Sequence, residues 1–154
     1  MAKNQVTIEI KGIEELIKTL DSLEPDMRIK AARSSMRLVA QKMQSNMERL
    51  VPRGKTGNLA SNLKHSVKMF PEKNAVVAFG RVKYSREKGG GNHAHLLEYG
   101  HKLVKGRYAR TTIGFVPAQP FMRPALYGHA DEYQKMVADG VAQYLTKKAR
   151  RGKL

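Results

Sequence analysis

The stretch PDMRIKAARSSMRLVAQKMQSNMERL, residues 25–50, decides the fold. Within it Ala32, Met36, Val39, Met43, Met47 and Leu50 recur every three or four residues, the spacing that lines up one face of an α-helix. Pro25 suits a first helical turn, where its missing N–H has no partner to lose, and Asp26 sets a carboxylate at the positive end of the helix dipole. Arg28, Lys30, Arg33, Arg37 and Lys42 fall off the apolar stripe, and Pro52 with Gly54 ends it. The pattern predicts a helix over about residues 26–50. The methionines on or near it (Met27, Met36, Met43, Met47) read first as gap-filling core and second as an adaptable oligomer interface.

Towards the N-terminus, Val6, Ile8 and Ile10 alternate with Thr7 and Glu9 as a half-buried strand does, and Gly12 ends the run. Ile13, Leu16, Ile17 and Leu20 then mark a short helix. Towards the C-terminus, Thr56 or Asn58 is placed to cap a brief helix through Leu59 and Leu63. Ser66–Phe70 and Ala75–Phe79 read as strands of a hairpin turning at Pro71–Asn74. Residues 81–93, basic and closing on Gly89-Gly90-Gly91, read as a mobile loop, and Ala94–Tyr99 as one helical turn closed by Gly100. Residues 101–114 read as a second basic loop, with a short strand at Thr111–Val116. From Pro124 a second long helix is expected to about Lys147, with Leu126, Ala130, Tyr133, Val137, Val141 and Tyr144 on its stripe and residues 147–154 as a flexible basic tail. The expected fold is a single α+β domain over residues 1–154, with two long helices packed on a small antiparallel β-sheet and long basic loops.

At 154 residues the chain is one domain's worth, and Leu, Ile, Val and Phe make up about 22% of it, enough for a thin core. Absent cysteine excludes disulfides and thiolate chemistry. No apolar run is long enough to span a bilayer or serve as an export signal, so the expectation is a chain made in the cytoplasm with no membrane partner. The net charge of +16 is uneven: residues 1–27 sum to −3, whereas residues 28–70 carry +9 with Glu48 as their one acid. Such a surface attracts nucleic acid or an acidic partner through a salt-sensitive field.

Motifs that would carry chemistry fail on inspection. Gly54-Lys55-Thr56 lacks the glycine a phosphate loop needs at position 49, where Arg49 stands, and it follows a helix rather than a strand. His93, His95 and His101 have only Glu98 near them to complete a metal site. Glu72, Glu87 and Glu98 are too dispersed to read as a paired-carboxylate centre, and no Gly-x-Ser-x-Gly turn occurs. No catalytic, cofactor or metal residue is therefore expected. Tyr84, Tyr99, Tyr108 and Phe115 interleave with basic residues, either to stack on single-stranded bases or to anchor loops.

Taken in order, Gly12-Ile13-Glu14-Glu15-Leu16, the long helix ending Leu50-Val51-Pro52, Lys55-Thr56-Gly57-Asn58-Leu59, Leu97-Glu98-Tyr99-Gly100 and Pro117–Leu126 resemble the tail-completion, or head–tail joining, family of long-tailed bacteriophages. The resemblance spans about residues 6–147. It implies a non-enzymatic virion protein in the neck or tail, assembled in the host cytoplasm as a six-fold homo-oligomeric ring beside other neck and tail proteins. Contact with DNA would then be weak and sequence-indifferent; the alternative is a basic nucleic-acid-binding protein. The expected interaction residues are Arg53, Lys55, Thr56, Gly57, Arg86, Lys88, Glu98, Tyr99, Gly100, Lys102, Lys105, Arg107, Phe121 and Arg123. Among them Glu98 is expected to pair with a basic neighbour, and Phe121 to anchor in its own core or in the next subunit.

Overall fold

The long helix is the spine of the molecule. A computed structural model describes residues 13–84, 90–106 and 111–151. In chain order it has α1 (Ile13–Asp21), α2 (Pro25–Leu50), α3 (Asn58–Ser61), β1 (Leu63–Phe70), a 3-10 turn at Pro71–Lys73, β2 (Ala75–Val82), α4 (Ala94–Tyr99), β3 (His101–Lys105), β4 (Thr111–Val116), α5 (Met122–Tyr127) and α6 (Ala130–Ala149). The fold is α+β, as expected. The strand read at Val6–Ile10 lies outside the described residues.

Pro25 opens α2, and Val51 turns into extended backbone to end it, its N–H donating to Met47 O at 2.8 Å. The buried face is Ala31, Ser35, Val39, Ala40, Met43, Asn46 and Met47. The predicted stripe thus holds at Val39, Met43 and Met47 but shifts at both ends: Ala32 and Met36 are only half-buried and Leu50 is exposed. Close approach of α6 explains the shift. A Cβ added to Gly140 would stand 2.7 Å from Ser35 Cβ, so only a missing side chain lets the two backbones come this near. Ser35 meets Gly140, whereas further along α2 Lys42 and Asn46 meet the earlier residues Glu132 (2.7 Å) and Tyr133 (2.9 Å) of α6, so the two helices are antiparallel.

β1 and β2 pair antiparallel from Leu63↔Val82 to Phe70↔Ala75 and lie against α2. His65 Nδ1 meets Gln44 Oε1 at 2.6 Å, tying strand to helix, while Gln44 Nε2 donates to Glu48 at 2.7 Å. Two apolar clusters follow along α2. Val39 and Met43 pack with Tyr133 of α6 and Ala78 of β2. Nearer the C-terminal end, Met47 and Val51 pack with Leu59, Leu63, Ala94, Phe121 and Ala125.

Four expectations are corrected. Leu63 begins β1 rather than continuing the brief helix, because Lys83 N–H donates to Asn62 O at 2.7 Å and carries the pairing with β2 past Val82. Residues 101–105, read as loop, form β3, which pairs with β4 from His101↔Val116 to Lys105↔Thr111 with an irregularity between Leu103 and Val104. The strands therefore make two separate two-stranded sheets, not one. The second long helix is broken: Gly128 N–H closes α5 on Pro124 O, and Tyr133 N–H then bonds His129 O to start α6. That helix runs on to Ala149, two residues past the expected boundary.

Replacing Gly140 with valine should force α2 and α6 apart and cost about 1–3 kcal/mol, as overpacking of a tight contact does. Urea denaturation should show a lower midpoint at unchanged slope.

Candidate assembly interface

α5 begins without a cap of its own. Phe121 at its N-cap position has no side-chain acceptor, so the first N–H groups of the helix need a partner from elsewhere. Glu98, on the short helix α4, supplies it. Its Oε2 accepts from the N–H of Phe121 at 2.9 Å and of Met122 at 3.0 Å. Its Oε1 accepts from the N–H of Arg123 at 3.0 Å and from Arg123 Nε at 3.1 Å. Arg123 Nη2 closes the loop by donating to Glu98 O at 3.2 Å. Glu98 is 3% exposed. Burial alone would raise its carboxyl, but the backbone N–H groups of Met122, Phe121 and Arg123, together with the Arg123 side chain, outweigh it and hold the group below the usual carboxylate range.

The expected basic partner of Glu98 is thus Arg123, while the three backbone donors carry no signature in a sequence. The Arg123 guanidinium also lies 4.9 Å from the centroid of the exposed Tyr99 ring. Gly100 follows at φ +71°, with Val116 O 2.7 Å and Ala118 N 2.9 Å from where a Cβ would be; only glycine lets β3 leave α4 here. Gln119 N–H donates to Leu97 O at 2.7 Å, so the two segments are joined on both sides of the carboxylate.

Of the two places open to Phe121, the structure gives its own core. It is fully buried among Leu59, Leu63, Ala94 and Ala125. Glu98, Tyr99, Gly100, Phe121 and Arg123 therefore come together in one knot. Arg53, Lys55, Thr56 and Gly57 form an exposed turn between Val51 and Leu59, two residues of the cluster that holds Phe121, and Gly57 has a positive φ of +62°. Lys102 and Lys105 stand exposed on β3. Arg86, Lys88 and Arg107 lie outside the described residues.

Two surfaces were missed by sequence reasoning. A cleft of about 470 Å³ opens beside the knot, floored by Met43, Met47 and Leu126 and edged by Tyr84, Tyr99 and Tyr127. Leu126 had been placed on a buried stripe; the break after Tyr127, signalled by Gly128, turns it outward instead. The second surface is the β3–β4 ribbon, where Leu103, Val104, Ile113 and Phe115 are 42%, 49%, 62% and 62% exposed. Among the described residues no group of three or more His, Cys, Asp or Glu is placed to hold a metal ion, and no helix is long and apolar enough to cross a membrane.

Among known families the HK97-gp10_like model, described as "Bacteriophage HK97-gp10, putative tail-component", matches residues 14–100, more than half of the chain. No curated protein and no solved structure matches significantly.

Replacing Glu98 with alanine would leave the N–H groups of Phe121, Met122 and Arg123 without their acceptor, at a cost of about 1–3 kcal/mol for each donor that stays buried, while the half-exposed Arg123 guanidinium returns to water. Glutamine keeps the shape and loses the charge, costing about 1–3 kcal/mol. Because folding lowers the Glu98 pKa, its contribution is complete above the unfolded-chain value of about 4.3 and is lost as pH falls through the folded one. Urea midpoints measured down the pH scale should therefore fall more steeply for the wild type than for Glu98→Gln, the two converging in acid.

Proposed function

The chain belongs to the HK97-gp10-like family, and from that premise we propose that it is a non-enzymatic structural protein of the phage virion. It completes the tail and joins it to the DNA-filled head, working as a homo-oligomeric ring in the neck, six-fold to match the tail, among other neck and tail proteins. It is assembled in the host cytoplasm.

The observation that carries this reading is the Glu98 knot. It fastens the Leu97–Gly100 motif to the Pro117–Leu126 motif, and its carboxylate is spent on four hydrogen bonds, which suits a clamp rather than an acid–base catalyst. What the knot leaves displayed, the exposed Tyr99 ring, suits contact with other proteins. Further positive charge lies exposed on α2 at Arg33 and Arg37 and on the turn at Arg53 and Lys55. Acidic surfaces of neighbouring rings are the partners proposed for it, because a channel that gripped phosphates tightly would impede the passage of DNA.

The net charge of +16 also favours a second reading, a nucleic-acid-binding protein. Disrupting the gene in its parent phage genome and imaging the lysate separates the two. The joining role predicts DNA-filled heads beside separate tails of normal length; fully joined, infectious particles would contradict it. The purified protein should bind duplex DNA only weakly and without sequence preference. Sub-micromolar binding with a steep salt dependence would favour the second reading instead.

A further inference from the structure

The β3–β4 ribbon is built to be covered. Its extensive contacts are between its own two strands. A lone two-stranded ribbon is marginal in water, and its outer edges offer unpaired backbone groups. Opposed residues share a face, so Lys102 with Phe115 and Val104 with Thr112 make one surface that is exposed throughout, apolar at its centre and positive at its side. Lys105 follows Val104 and puts its charge on the ribbon's other face.

Charge selects what covers it. The cleft beside the knot is apolar enough, but Arg81 and Arg123 line it and would repel Lys102. The complementary surface is the corner between α1 and α2. There Asp21, Glu24 and Asp26 are exposed, and along α1 Glu14, the half-exposed Ile17 and Lys18 continue the surface, in the segment whose net charge is −3. Asp21 pairs with Arg28 at 3.2 Å and Asp26 with Lys30 at 3.5 Å, while Glu14 and Glu24 have no ion pair among the described residues.

A single protomer cannot bring these two surfaces together. The acidic corner sits at the start of α2. The ribbon is rooted at the other end, where Met47 and Val51 share a cluster with Ala94 of α4. The 26 residues between the ends of α2 span about 39 Å. Two unlike patches at opposite ends of one rigid helix make a head-to-tail contact, the kind that closes into a ring when its rotation closes. We infer that the outward face of the β3–β4 ribbon docks on the acidic α1–α2 corner of the next copy of this chain. This rests on the ring reading above and names the surfaces that build it.

Because the chain has no cysteine, engineered thiols report the contact directly. Ile17→Cys and Thr112→Cys would be introduced singly and together, with Asp131→Cys, at the other exposed acidic helix start, as the rival partner for Thr112→Cys. Each is oxidised both in the purified protein and in assembled particles. The contact predicts that the 17/112 double variant gives a ladder of covalent oligomers, that the two single variants mixed give dimers alone, and that neither single variant cross-links with itself. Self-linking of Thr112→Cys, or linkage to position 131 in place of 17, would overturn it. So would no linkage at 17/112 in particles that contain the protein. If the protein is missing from normal particles altogether, the joining role fails and the contact with it.

Discussion

One buried carboxylate fastens the start of α5 to α4. An ionised glutamate taken out of water is costly unless its lone pairs are filled. Glu98 meets that condition by accepting from the opening N–H groups of α5 and from Arg123. The position of α5 then fixes a second relay: Tyr133 on α6 donates its hydroxyl to Ala125 O and accepts from Asn46 on α2. Burial raises the Tyr133 hydroxyl pKa, so it stays a neutral donor at ordinary pH. From α4 to α5, from α5 to α6 and from α6 back to the spine, each step is a hydrogen bond between buried or half-buried groups. In a chain with so few large apolar residues, polar contacts of this kind do part of the positioning that a thicker core would do.

Elements that bury a regular apolar face were legible in the sequence. The spine, the β1–β2 hairpin and the single turn of α4 with its glycine stop all announce themselves through spacing, proline or glycine. What was not legible has one physical character: it depends on partners that leave no side-chain pattern. Backbone N–H groups that satisfy Glu98 have no sequence signature. Ser35 and Gly140 bring two helices together through the absence of bulk, which a search for apolar stripes passes over. The stripe from Leu126 to Tyr144 runs unbroken across Gly128 and His129, so periodicity alone carried the helix through a break. β3 was read as a loop because its lysines and its adjacent Leu103 and Val104 show no alternation of the kind a core imposes.

That last point links fold to function. A strand whose apolar residues face solvent is poorly specified within its own chain, and its pattern makes sense once a neighbour is counted as part of its surroundings. The knot at Glu98 supplies the rigid root from which such a ribbon projects, and α2 separates it from the acidic corner. Membership of a phage tail-component family, a stiff helical spine and unlike surfaces at its two ends are the properties wanted in a ring subunit.

The most direct measurement is an electron-microscopic reconstruction of the neck of the parent phage. The account predicts a closed ring of this chain between the tail tube and the head, each copy's β3–β4 ribbon lying on the α1–α2 corner of its neighbour. A neck complete without this chain, or density for it at the far end of the tail, would contradict the account.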